Sequence, residues 1–257
     1  MEKKVIYYKD ELNDDFTKSS GLKKKDLPSN FKYIHTSIIY RFFEFIAYQL
    51  IARPIAFLFV KIAFFQSFKN KKLLKEAKRN GAYFYINHTN GPLDAYLPNL
   101  LTPPKKNYIV VGREAFSIKG IGTIVQMMGG IPLGDTLKNK SEYFKCIKKR
   151  IEEKKTITIY PEAHIWDFYN KIRPFREQSF IFPVKYNAPV YAITNCYQRR
   201  KIGKYPKVVT YIDGPFYPND LLSEKEKLTD LRNRVYDSMV ENSNRYSTYE
   251  YIKYIKI

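Results

Sequence analysis

The sequence predicts an α/β fold, a mixed sheet flanked by helices and preceded by an apolar helical segment. After Asn80-Gly81, short runs rich in β-branched and aromatic residues alternate with helical stretches, the pattern of a layered α/β architecture. Residues 38–65 form the most apolar stretch of the chain, and Lys69, Lys71, Lys72, Lys75, Lys78 and Arg79 follow directly, opposed by Glu76. At 257 residues the chain is long enough to bury a sizeable core without disulfides or a structural metal. Its 44% hydrophobic and 16% aromatic content excludes a disordered basic tail.

Taken in order, residues 1–36 read as a polar, loosely packed arm, with Lys23-Lys24-Lys25, Pro28 and Ser29 and no sustained periodicity. The arm has no apolar core of a secretory signal, and the two cysteines, Cys146 and Cys196, form no metal or disulfide pattern, so a reducing cytoplasmic setting is expected. Residues 37–80 read as an apolar then basic helical segment. Arg41, Glu44, Arg53 and Lys61 interrupt its apolar part, so no uncharged run of about 18 residues exists, and Pro54 should break the helix near Arg53. Two short helices lying in a membrane interface, with basic side chains reaching phosphate level, fit this pattern, as does a buried helix pair. The basic run beside them tilts the reading toward an anionic membrane surface.

Residues 81–257 form the α/β part, with strands expected at 82–87, 107–112, 156–160, 189–195 and 207–212 and helices at 94–100, 122–128, 141–154 and 223–243. Two strand ends carry candidate chemistry. In Asn87-His88-Thr89-Asn90-Gly91-Pro92-Leu93-Asp94, a carboxylate that accepts from one ring nitrogen of His88 turns the other into a general base. In Tyr160-Pro161-Glu162-Ala163-His164, followed by Lys171, Arg173 and Arg176, a carboxylate, an imidazole and cations gather where open sheets bind ligands. Each also has a plain reading as a capped or surface loop. A metal held by His88, His164, Asp94 and Asp167 is chemically allowed, but three His in the chain and no H-x-x-x-H or Cys partners argue against it. Glycines at 112, 120, 122, 129 and 130 fit no phosphate-loop pattern, and Ala188-Pro189-Val190-Tyr191-Ala192 reads as a buried strand.

In order and spacing, N-H-T-N-G-P-L-D, G-R-E-A-F-S-I-K-G-I-G with M-G-G-I-P-L-G-D, Y-P-E-A-H-I and A-P-V-Y-A resemble the four blocks of the glycerolipid acyltransferase superfamily, over about residues 80–195. The resemblance implies transfer of an acyl group from acyl-CoA or acyl carrier protein to a lysophospholipid-like hydroxyl at the cytoplasmic face of a membrane. It implies His88 as base oriented by Asp94, with Glu162 in the acceptor pocket and Arg113, His164, Lys171 and Arg173 as further substrate-binding candidates. No cofactor or metal is expected. Three departures stand out: five residues rather than four separate His88 from Asp94, and Asp135 and Ile165 replace arginines that the family associates with the acceptor phosphate. Lys171 and Arg173 are the expected replacements.

The net charge of +20, from 45 basic and 25 acidic residues, suits anionic lipid and thioester carriers alike. It also admits nucleic acid, but no recognised nucleic-acid motif accompanies it and residues 38–65 would go unexplained, so no nucleic-acid partner is expected. A hydrolase using water at the same His88 and Asp94 is the remaining alternative.

Overall fold

The computed structural model describes residues 4–16, 26–28, 30–116 and 121–257. The Lys23-Lys24-Lys25 run, Ser29 and Gly120 lie outside the described residues. The chain opens with β1 (Lys4–Tyr8) and then one helical run composed of α1 (Ile38–Phe45), a π-helical segment Ile46–Ala52 and α2 (Arg53–Phe64). Next come β2 (Ser67–Lys69), α3 (Lys75–Arg79), β3 (Ala82–Ile86), α4 (Gly91–Tyr96), β4 (Asn107–Val111), α5 (Ile121–Met127) and β5 (Gly130–Pro132). The remainder is α6 (Leu137–Glu152), β6 (Thr156–Ile159), α7 (Ile181–Lys185), β7 (Val190–Gln198), β8 (Lys207–Phe216), α8 (Glu224–Tyr246) and β9 (Ile252–Lys256).

Seven strands form a mixed sheet in the order β2-β8-β7-β3-β6-β4-β5, parallel throughout except for the antiparallel pair of β7 with β8. All five of the strands expected from sequence are present. Central β3 lies between β6 and β7, with Tyr83 opposite Ile157 on one side and Val190 on the other. Every β3 residue is buried, as a strand covered on both faces requires. Its alternation splits the core in two. Tyr83 and Tyr85 pack with Cys146, Ile147, Phe180 and Leu231 on one face, and Phe84 and Ile86 pack with Ala56, Val60, Leu93 and Leu97 on the other.

The polar arm is not loosely packed where it is described. β1 pairs in parallel with β9, Lys4 opposite Ile252, and Leu27 and Tyr33 are buried in the main core. The arm's acidic residues shape a turn: Leu12 N–H donates to Asp10 Oδ1 at 2.8 Å and Lys9 N–H to Asp14 Oδ2 at 2.7 Å.

Pro54 does not divide the apolar segment. It sits in the first turn of α2, where a missing N–H is tolerated, and the preceding π-helical segment takes up the change in backbone hydrogen bonding. The result is one helix, Ile38–Phe64, long and apolar enough by length and composition to cross a membrane. Its polarity is inverted relative to a core helix. Ile38, Phe42, Leu50, Ile55, Leu58 and Ile62 face outward, each more than half exposed. Three of its four charged residues bond to the protein rather than reaching outward: Arg53 donates to the Asn99, Pro104 and Lys105 carbonyls, Lys61 to the Gln66 carbonyl, and Glu44 pairs with Lys106 at 2.8 Å.

Candidate active site

The site is built where β3 ends. Asn87 replaces one more rung of sheet pairing with its side chain, donating to the Asn195 carbonyl at 3.1 Å and accepting from Asn195 N–H at 2.8 Å. This fixes the direction in which His88 leaves the sheet. Asn90 then caps α4 by accepting from Leu93 N–H at 3.0 Å, and Gly91-Pro92 begin the helix in conformations suited to its first turn. Asp94 is thereby placed in the first turn of α4, facing back toward His88.

The two side chains meet: His88 Nδ1 lies 2.8 Å from Asp94 Oδ2. The extra residue in the spacing is absorbed by the extended Asn90, whose N–H donates to the same carboxylate oxygen at 3.0 Å. Asp94 is buried, and burial raises its carboxyl above the usual range while the hydrogen bond from His88 opposes that rise. Asp94 Oδ1 has no partner among the described residues. His88 keeps 17% of its side chain exposed. Its ring stacks on Tyr160 with centroids 4.3 Å apart, and Tyr160 O–H donates to the Asp94 carbonyl at 2.6 Å. Tyr160 thus holds both members of the pair, a role sequence reading missed; its place directly before Pro161-Glu162 at a strand end was the available signal.

His88 and Asp94 line a cavity of about 800 Å³ whose other walls include Ile109, Val111, Ile124, Val125, Leu133 and Phe182. An imidazole–carboxylate pair at one wall of an apolar cavity can move a proton beside a hydrocarbon chain.

The remaining expected site residues divide. Glu162 and Arg173 are wholly buried and pair with each other at 3.4 Å. Glu162 accepts from His88 N–H and from Arg173 N–H, both at 2.9 Å. Burial raises the Glu162 carboxyl, opposed by the Arg173 guanidinium. Arg173 also donates to the His164 and Glu11 carbonyls and lies over the Trp166 ring at 4.8 Å. These two residues therefore brace the loop that carries His88, and the structure does not present them to a substrate; all of the guanidinium's surroundings are protein. Arg113 pairs at 3.1 Å with both Asp26 and Asp135. Asp135, which stands in place of a family arginine, is held well below the usual carboxylate range by hydrogen bonds from Asn139, Leu27 and Thr136. His164 lies 3.4 Å from Asp15 and is half-buried, whereas Lys171 is exposed. Among the described residues no group of three or more His, Cys, Asp or Glu side chains is arranged to hold a metal ion, so His88, His164, Asp94 and Asp167 do not converge as one.

Residues 68–195 match the family model described as Acyltransferase. No curated protein matches the chain in sequence. In fold it is similar to the 1-acyl-sn-glycerophosphate (LPA) acyltransferase PlsC from Thermotoga maritima, with a TM-score of 0.54 and 18% identity over 82% of this chain and 81% of that one. The mixed sheet flanked by helices is thus an acyltransferase fold. The chain belongs to the glycerolipid acyltransferase superfamily, whose members transfer acyl groups in lipid metabolism.

Proposed function

We propose that the protein transfers a fatty acyl group from acyl-CoA or acyl carrier protein to a hydroxyl of a lysophospholipid-like acceptor. The observation that carries this reading is the His88–Asp94 pair at the wall of an apolar cavity: with Nδ1 committed to Asp94, Nε2 is the nitrogen available to a substrate. His88 Nε2 takes the acceptor hydroxyl proton while the oxygen attacks the thioester carbonyl. The tetrahedral intermediate expels the thiolate, which takes the proton back from the imidazolium. Asp94 orients the ring and stabilises its charged form during the step. The apolar cavity suits the acyl chain, and no cofactor enters the scheme.

The outward apolar face of the Ile38–Phe64 helix supports docking on a membrane, and the proposed reaction runs at its cytoplasmic face. With Arg173 buried and Arg113 paired to acidic residues, exposed Lys171 is the expected substrate-binding cation left to meet an acceptor phosphate from solvent.

Purified protein incubated with a panel of lyso-lipids and each thioester donor, with products identified by mass, tests the reading. Acceptor-dependent formation of acylated lipid is expected. Free fatty acid formed at the same rate with and without acceptor would instead identify a hydrolase.

A further inference from the structure

A second cavity, of about 1070 Å³, lies at the amino-terminal ends of β4, β5 and β6, whereas His88 lies beyond the carboxyl end of the parallel β3. Its walls are the protein-facing side of α1 and the π-helical segment, the carboxyl end of α6, and the segments leading into β4 and β6. Two carboxylates line it, and both are engaged: Glu44 with Lys106 at 2.8 Å and Glu153 with Arg150 at 2.9 Å. Arg41, Lys78, Lys105, Lys154 and Lys155 line the same cavity without a carboxylate partner among the described residues.

Lys105 shows what this convergence costs. Its ammonium donates to the Ala77 and Asn80 carbonyls, both at 2.7 Å, which leaves a third proton for a ligand. Burial and the neighbouring Lys155 and Lys154 charges lower it to about 8. Like charges gathered without a counter-ion repel one another, and an anion among them would relieve that repulsion. The same helix that walls the cavity presents Ile38, Ile39, Phe42 and Phe43 to the outside. A soluble polyanion would satisfy the cations and leave this apolar face in water. An amphiphile that carries a phosphate satisfies both.

We propose that this cavity binds the phosphate of an anionic phospholipid in the bilayer on which the apolar face of the Ile38–Phe64 helix rests. The proposal depends on the docking reading above and is independent of acyl transfer. Its consequence is orientation: the headgroup contact and the apolar face must be satisfied together, which fixes the rotation of α1 about its axis at the surface.

Flotation of the full chain on vesicles of phosphatidylcholine, with and without phosphatidylglycerol, tests this. Lys78 and Lys154 are exposed and unpaired, so Lys78→Glu with Lys154→Glu alters the cavity without disturbing packing. Lys201→Glu with Lys225→Glu makes the same change in net charge at exposed positions away from it. Binding to phosphatidylglycerol vesicles is expected to fall about tenfold or more in the cavity variant and by less than about threefold in the control, at matched unfolding midpoints. Equal losses in the two variants, or none in the cavity variant while wild type floats, would overturn the proposal alone. Release of wild type from vesicles by coenzyme A, at concentrations where inorganic phosphate has no effect, would overturn it in favour of a nucleotide site. Wild type that floats on neither vesicle would overturn the docking reading as well.

Discussion

Two pairs of ionisable side chains lie beyond neighbouring strands, His88 with Asp94 after β3 and Arg173 with Glu162 after β6, and their surroundings set them to different work. The first opens at His88 onto an apolar cavity; the second is closed off on every side, with both side chains at 0% exposure. The pairs are joined, because Glu162 accepts from the His88 backbone N–H. A base that must meet a substrate keeps one face accessible. A pair that fixes where that base sits gains from having no competing water. Motif proximity alone does not separate the two; burial does.

Removing the charge from the open pair has the largest expected effect. Asp94→Asn keeps the shape of the side chain and removes the charge that stabilises the imidazolium in the proposed mechanism, so steady-state transfer should fall by about 10²–10⁴-fold with little change in the unfolding midpoint. The closed pair should behave in the opposite way. Arg173→Ala leaves the Glu162 carboxylate buried and unpaired, and denaturant unfolding should show a loss of about 3–5 kcal/mol, with acceptor KM little changed in the protein that remains folded. The pH dependence of that loss has a definite sign. The folded-state value of Glu162 is already raised and rises further without Arg173, so the penalty is present above that value and is relieved as pH falls through it and the carboxyl takes a proton.

Tyr160→Phe is a smaller change: the ring stays on His88 while the hydrogen bond to the Asp94 carbonyl is lost, which should cost about 1 kcal/mol of stability and lower transfer several-fold. Lys171→Glu is smallest. Its exposure leaves it screened by solvent, so a rise of less than about threefold in KM for a phosphate-bearing acceptor is expected, with stability unchanged.

Much of the sheet was legible because buried parallel strands such as Tyr83-Phe84-Tyr85-Ile86 are continuous apolar runs, a local signal. The meeting of His88 and Asp94 was legible for a similar reason, since both lie within one strand-turn-helix unit. What escaped depends on distant parts of the chain. From sequence Arg173 reads as a substrate-binding cation, but its environment includes Glu11 from the amino-terminal segment and Trp166, itself tied to the Asp14 carbonyl at 2.8 Å. The pairing of β1 with β9 joins the two ends of the sequence, and neither short, charge-bearing strand carries a periodic signal strong enough to announce it. At Pro54 a local rule predicted a break, and the π-helical segment before it gave the helix another way to continue.

The most direct test compares wild type with His88→Ala in the transfer of a labelled acyl group, from acyl-CoA and from acyl carrier protein, to a lyso-lipid. His88→Ala should still unfold cooperatively, at a lowered midpoint because buried Asp94 loses its side-chain partner, and the folded protein should lose at least about 10²-fold in transfer rate. Wild-type transfer by His88→Ala would contradict the role assigned to the open pair.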